Sequence, residues 1–311
     1  RTMSNQTMAT KSRIVLNSVA YPVYPNCAIE APENYSLPVI LGNLTQINQG
    51  DGFIMPYITV SFAVRDANDN ILKRGGGAGT GLLDYLINRT NDSAFESTNI
   101  GLFEFWNGRQ RYYMANTKLD SMTFSCSKGD DLHIAARFCG TSLDVDNSAP
   151  STAWTSSTAR MIKFNDITYG TALADVMLSW SLTYSNNHSP DMTLGGNVAT
   201  SESRRFPMQC NAGIPTCTFD CVIQAIDALS NSNQGLLAND TDLTTTATIT
   251  VTNKASTRSV TFTIPRVANQ TPRNTRVTLP KNFKNFSYNV MPVGASAATD
   301  YPLTVANSTL F

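Results

Sequence analysis

Hydrophobic and polar residues alternate along this chain in short runs, with the two-residue period of half-buried β-strands. In "YITVSFAVR" the apolar set is Val60, Phe62 and Val64, and in "DLHIAARFC" it is Leu132, Ile134, Ala136 and Phe138. "MTFSCS" places Met122, Phe124 and Cys126 on one face, and "CTFDCVI" does the same for Cys217, Phe219, Cys221 and Ile223. "DVMLSWSLTY" is aromatic-rich and bounded by the turn "SNNHSPD". "TTTATITVTN", "RSVTFTIPRV" and "NFSYNVMPV" are rich in β-formers, with a hairpin turn predicted at residues 253–256 between the first two. Helical spacing is confined to Leu82, Leu83, Leu86 and Ile87, and to a second predicted helix at 222–229 whose start overlaps a strand pattern. Many short strands with regular turn signals predict a mainly β chain, an antiparallel β-sandwich or barrel with one or two short helices.

The length of 311 residues allows two domains of ordinary size. Residues 143–158, rich in Ser, Thr, Asp and Ala, mark a boundary. Residues 1–150 then hold an N-terminal arm and a first β-sandwich. Residues 151–311 hold a second β-rich half, either a repeat of the first or the completion of one large sandwich. The repeat rests on Asp120-Ser121-Met122 and Asp175-Val176-Met177, each opening a strand. Each also follows a predicted short β pair, "FEFWNGRQRYYM" in one half and "ARMIKFNDITYG" in the other.

One stretch imitates a phosphate-binding loop. "RGGGAGTG", Arg74 to Gly81, precedes the first helical segment. Gly76 and Gly81 have Walker A spacing, but Leu82 and Leu83 stand where the Lys and the hydroxyl residue are required. Gly77 and Gly79 begin a dinucleotide fingerprint, but its sixth position is Leu82. The expectation is a glycine loop that binds no nucleotide and leads into a core-packed helix.

Charge changes the picture more. Formal net charge is zero, and 15% of residues are charged, against roughly 25% in an average globular protein. Ser, Thr, Asn and Gln supply the polarity, so bulk charge attracts neither nucleic acid nor an acidic membrane. No apolar run reaches the ~18 residues of a membrane-spanning helix. "RTMSNQTMATKS" lacks the apolar core of a secretory signal, and the start at Arg1 rather than Met leaves a processed beginning open. The six cysteines (Cys27, Cys126, Cys139, Cys210, Cys217 and Cys221) read as reduced, buried thiols rather than three disulfides, because several fall on apolar strand faces. No Cys-x-x-Cys is present to suit zinc.

Reaction centres are not legible. His133 lies on the strand face opposite Leu132 and Ile134, beside Arg137, and His188 lies in a turn. No nucleophile elbow accompanies them. "DANDN" at Asp66 and "DVDN" at Asp144 open like calcium loops, but Ile71 and Ala149 replace the Gly, and Gly77 and Thr155 replace the Glu. Both read as Asx turns. A glycosidase carboxylate pair meets only in three dimensions and leaves no sequence signature. Asn-x-Ser/Thr triplets at Asn34, Asn43, Asn88, Asn187, Asn239 and Asn307 would accept glycans on a secretory route, although a chain this rich in Asn, Ser and Thr generates them from composition alone. The sequence therefore assigns no catalytic, cofactor-binding or metal-binding residue.

Residues 103–143, "FEFWNGRQRYYMANTKLDSMTFSCSKGDDLHIAARFCGTSL", run as a Trp-bearing hairpin, a strand, a Gly-Asp turn and a return strand ending in "GTS". "ALADVMLSWSLTYSNN" looks like the same unit again, and "VTFTIPRV" and "SYNVMPVGASAATDYPLTV" like closing strands. In these features the chain resembles the tail tube (major tail) proteins of long-tailed bacteriophages over about two thirds of its length. The cysteines and the glycine loop depart from that pattern. The resemblance implies a tail-tube-type β-sandwich with a packed helix, and no enzymatic activity. It implies self-assembly into hexameric rings, or trimeric rings of duplicated subunits, stacked into a tube in the virion tail after assembly in the host bacterial cytoplasm. The implied partners are other copies of the chain, a tape-measure protein, tail terminator or tip proteins, and double-stranded DNA in passage. On that reading the bore carries acidic and amide residues in excess of Lys and Arg, with Lys73, Arg74, Arg204 and Arg205 at subunit contacts or outside. Two other classes fit the same composition: another virion β-protein such as a capsid decoration or connector subunit, or a secreted carbohydrate-binding or adhesive sandwich using Trp106, Trp154 and Tyr113.

Overall fold

The structure is a computed structural model. It describes residues 12–24, 27–30, 55–64, 82–87, 99–152, 161–169, 177–191, 206–224, 247–253, 259–264, 268–269, 283–290 and 304–307. Within them the chain is mainly β and antiparallel.

The first half opens with β1 (Arg13–Leu16), β2 (Val19–Pro22), β3 (Ala28–Glu30) and β4 (Tyr57–Ala63). A single helical turn and a half, α1 (Leu82–Ile87), follows. Then come β5 (Phe103–Trp106), β6 (Arg111–Met114), β7 (Lys118–Ser127), β8 (His133–Cys139) and β9 (Asp144–Asp146). The second half contains β10 (Ile167–Tyr169), β11 (Met177–Ser185), β12 (Ser189–Asp191), β13 (Gln209–Asn211) and β14 (Thr216–Gln224). It closes with β15 (Ala247–Asn253), β16 (Ser259–Ile264), β17 (Ala268–Asn269), β18 (Phe283–Val290) and β19 (Thr304–Asn307).

These strands form one long sheet and three smaller ones. The eight-stranded sheet runs β17-β18-β14-β11-β7-β8-β4-β3. The strands on one side of the β7–β11 pairing all come from the first half of the chain, and those on the other side all come from the second. Each half also owns a separate sheet: β2-β1-β5-β6-β9 in the first and β10-β15-β16-β19 in the second. A two-stranded ribbon, β12-β13, completes the set.

Local chemistry explains the turns. The β1–β2 hairpin turns on Asn17 and Ser18, both at positive φ (47° and 70°), as a tight hairpin requires. Asn17 also accepts a hydrogen bond from the Leu102 amide at 2.9 Å, tying the turn to the start of β5. Gly129, at φ 95°, makes the β7–β8 turn, where the Asp130 amide donates to the Ser127 carbonyl at 2.9 Å.

The expected alternation is observed. Val60, Phe62 and Val64 are buried, as are Leu132, Ile134, Ala136 and Phe138, and Met122, Phe124 and Cys126. They share one core with residues of the five-stranded and four-stranded sheets. Phe103 of β5 meets Phe138 of β8 with ring centroids 4.8 Å apart, and Phe124 of β7 meets Phe262 of β16 at 4.9 Å. Helix α1 contributes Leu82, Leu83 and Leu86 to that core. It also contributes Tyr85, which the leucine spacing does not single out.

Two expectations are revised. Residues 222–224 of the second predicted helix belong to strand β14, paired with β18 through Gln224↔Phe283, because β-branched and aromatic neighbours extend the strand period. Residues 225–229 lie outside the described residues. The predicted β pair in "ARMIKFNDITYG" is a 3-10 turn, Phe164–Asp166, followed by the single strand β10. That turn is held by the Lys163 amide donating to the Asp166 carboxylate at 3.0 Å. The boundary segment 143–158 begins with strand β9, paired to β6 and anchored where Arg111 bridges Asp146 and Glu104. The pairing of β15 with β16 agrees with the predicted hairpin, while residues 254–258 of its turn lie outside the described residues.

Phe124 sits where the core of the long sheet meets the second half's own sheet. Phe124→Ala is expected to lower the unfolding free energy by about 3–5 kcal/mol, from lost burial plus the cavity left behind. Chemical denaturation of the purified chain measures this.

Candidate functional site

Because side chains alternate across a strand, the residues between the core positions of β7 and β11 must share the opposite face. Those residues are Ser121, Thr123, Ser125 and Ser127, in register with Ser185, Thr183, Ser181 and Ser179. Every one carries a hydroxyl, and all are half-buried. Thr123 Oγ1 and Thr183 Oγ1 are 3.0 Å apart, a hydrogen bond that crosses from one half of the chain to the other. On one flank β14 continues the face with Thr216, Thr218 and Asp220. On the other, β8 contributes His133, Ala135 and Arg137, and β4 contributes Thr59 and Ser61 beyond them. The middle of the long sheet thus presents a neutral hydroxyl surface with charge only at its flanks.

One end of this face is covered by the β12–β13 ribbon, and a polar joint holds it there. A register shift in β7 between Leu119 and Ser121 sets Asp120 at the joint. Asp120 is buried and accepts the His188 backbone amide at 2.9 Å and contacts His188 Nδ1 at 3.2 Å. Its other oxygen lies 3.7 Å from Arg137 Nη1. The Asn186 side chain donates to the Leu86 carbonyl of α1 at 3.1 Å and to the Leu119 carbonyl at 3.0 Å. Lys118, also buried, donates from Nζ to the Cys210 carbonyl at 2.9 Å. Gly213 completes the approach, since a Cβ there would stand 2.6 Å from the Asn187 carbonyl oxygen.

Beneath the ribbon lies a second, small core made of Met55, Cys139 and Cys210, with Tyr57 packed against it. Tyr57 lies under the Arg137 guanidinium, 3.7 Å from ring centroid to Cζ, and donates its hydroxyl to Met55 Sδ at 3.1 Å. Burial pushes the Tyr57 phenol up to about 12, against the opposing pull of Arg137. Cys210 Sγ lies 3.7 Å from the Gly140 carbonyl oxygen, next to Cys139 in the chain. The neighbouring Cys210 and burial raise the Cys139 thiol, while the neighbouring Cys139 holds Cys210 below the usual thiol range, with Lys118 acting in the same sense.

The features singled out from sequence distribute as follows. His133 lies on the face opposite Leu132 and Ile134 as expected, where it is half-buried and its ring stacks on Tyr24 at 5.1 Å. His188 does follow the end of β11, but it is buried against Asp120 rather than merely placed in a turn. Nothing in "SNNHSPD" marks that contact, because its partner lies 68 residues earlier. "DVDN" combines an edge strand with an Asx turn, in which the Ser148 amide donates to Asp146 Oδ1 at 2.8 Å. Tyr113 is partly exposed and pairs with the Arg111 guanidinium at 5.2 Å. Asn187 donates its side-chain amide to the Ile214 carbonyl at 2.7 Å. Cys27, Cys126, Cys139, Cys210 and Cys217 are free thiols, and Cys126 and Cys217 are buried as their strand positions predict. The glycine loop, the Asp66 turn, Trp154, Lys73, Arg74, Arg204, Arg205 and the Cys221 side chain lie outside the described residues.

Three weak acids, Cys217 fully buried and Cys27 and Tyr57 half-buried, make stability depend on alkaline pH. Burial raises Cys27 from 9.0 to about 11, Cys217 from 9.0 to about 12 and Tyr57 from 10.0 to about 12. Each folded value exceeds the unfolded one, so the stability they confer is complete below the unfolded pKa and is lost as pH rises through the folded pKa. The urea midpoint is expected to hold steady up to about pH 8 and to fall progressively towards about pH 11. Cys217→Ala should start from lower stability but show a shallower alkaline decline.

No protein-family model matches the chain, and a search of curated proteins returns no match.

Proposed function

We propose that this chain is a structural virion subunit that assembles into stacked rings forming a tail tube, the conduit for DNA delivery. The observation that carries this reading is the division of the long sheet. Each half of the chain supplies one contiguous block of its strands and a second sheet of its own, joined at the β7–β11 pairing. Two β-sandwich units fused side by side, each contributing to one continuous sheet, are what a duplicated ring subunit requires. Three such chains then close a ring with pseudo-sixfold symmetry. The outermost strands of the long sheet, β3 and β17, are only three and two residues long. Short edge strands of this kind are places where a neighbouring copy can add a strand of its own.

The hydroxyl face supports the same reading from chemistry. Double-stranded DNA binds proteins chiefly through Lys and Arg that displace its counterions. A bore that must let DNA slide is best lined by groups that make no such exchange. Ser121, Thr123, Ser125, Ser179, Ser181 and Thr183 are of that kind. We assign this face to the bore, with Arg137 and Asp220 at its flanks, so that acidic and neutral polar residues outweigh basic ones.

Negative-stain microscopy of the purified chain is expected to show hollow rings or tubes, each subunit burying more than about 2,000 Å². A stable monomer at high concentration contradicts the proposal, as does a particle decorating a shell. The assembled wild type is expected to bind no DNA at physiological salt. Thr123→Lys with Thr183→Lys should create binding that weakens steeply with added salt. Unchanged DNA binding in a tube that still assembles would remove this face from the bore.

A further inference from the structure

The small core under the ribbon joins two cysteines from separate parts of the fold. Cys139 ends β8 in the long sheet, and Cys210 is the middle residue of β13. Both thiols are completely buried. They belong to one small buried cluster with Met55. Cys210 Sγ also lies 3.7 Å from the Gly140 carbonyl oxygen, which holds it beside the end of β8. Two small apolar residues would fill this space equally well, but two thiols in contact add a reaction that an apolar pair lacks.

We propose that Cys139 and Cys210 are a disulfide-forming pair that locks the β12–β13 ribbon onto the long sheet when the chain meets an oxidising environment. The assignment does not depend on what the chain assembles into. The oxidant is a small-molecule disulfide of the glutathione class. In the first step the Cys210 thiolate attacks one sulfur of that disulfide, whose S–S bond breaks and releases one thiolate. In the second, Cys139 loses its proton and attacks the Cys210 sulfur, displacing the other small thiolate. Two protein thiols are oxidised, one small disulfide is reduced, and the two protein protons end on the two small thiols. The Lys118 ammonium, bonded to the Cys210 carbonyl at 2.9 Å, places positive charge beside the attacking residue. Access requires the ribbon to lift. With three residues in each strand and no third strand among the described residues, the ribbon is a unit that can open without breaking the long sheet. Closing the bond brings the two sulfurs of the cluster to about 2.05 Å.

The test uses the full chain without substitution. It is equilibrated in glutathione buffers of increasing oxidised fraction, with sub-denaturing urea so that opening of the ribbon does not limit the reaction. Free thiols are then alkylated, and the unreduced digest is mapped by mass spectrometry. The expected product is one linked peptide pair joining Cys139 to Cys210, with the remaining cysteines alkylated. The oxidised protein should also melt at a higher temperature than the reduced one, a shift abolished by adding reductant. The proposal is overturned if both thiols stay alkylatable in the most oxidising buffer. It is equally overturned if either retains glutathione as a stable mixed disulfide, or links to a different cysteine.

Discussion

The antiparallel pairing of β7 with β11 is the constraint on which the rest of the structure depends. It is the only ladder of the long sheet that joins the two halves of the chain, among the described residues. Its register places Met122 against Tyr184, Phe124 against Leu182 and Cys126 against Trp180, so one face becomes the floor of the shared core. The same register sends an unbroken series of serines and threonines to the other face. A slip of one residue would exchange the two faces, exposing aromatic rings and burying hydroxyls. Core and hydroxyl surface are therefore two consequences of one alignment.

The ends of that pairing are fixed by polar contacts. Asp120, His188 and Asn186 gather the start of β7, the residues after β11 and helix α1 at one place. Burying a carboxylate is costly unless its oxygens find partners, and here the His188 amide and ring and the Arg137 guanidinium surround it. This arrangement specifies where the ribbon sits more sharply than the small apolar core beneath it. The ribbon, in turn, shields Cys139 and Cys210, so the thiol pair exists only because the polar joint is made.

Much of the fold was legible because strand alternation is a local signal. The core positions of β4, β7 and β8 follow directly from it, as does the burial of Cys126 and Cys217. Residues 222–224 misled because Val222 and Ile223 satisfy strand and helix patterns alike over so short a run. The partners across the long sheet were not legible, because pairing β11 with β7 rather than with a nearer strand is decided by packing between distant segments. The hydroxyl face was hidden for the same reason: Ser and Thr at alternate positions look like ordinary solvent-facing residues until two such strands lie side by side. The Asp120–His188 contact and the Cys139–Cys210 pair left no spacing motif at all, since each joins residues far apart in sequence.

A tube subunit has to satisfy two opposed demands. It needs strong attachment to its own copies and weak attachment to the polymer that passes through it. On the proposed function, the first demand falls to sheet edges and apolar packing, and the second to a surface of hydroxyls with little charge. The most direct measurement is a helical reconstruction of the assembled protein at side-chain resolution. The account predicts a hollow tube in which Thr123 and Thr183 of every subunit face the bore. A bore lined by Lys and Arg, or an assembly that turns the β7–β11 hydroxyl face outwards, would contradict it.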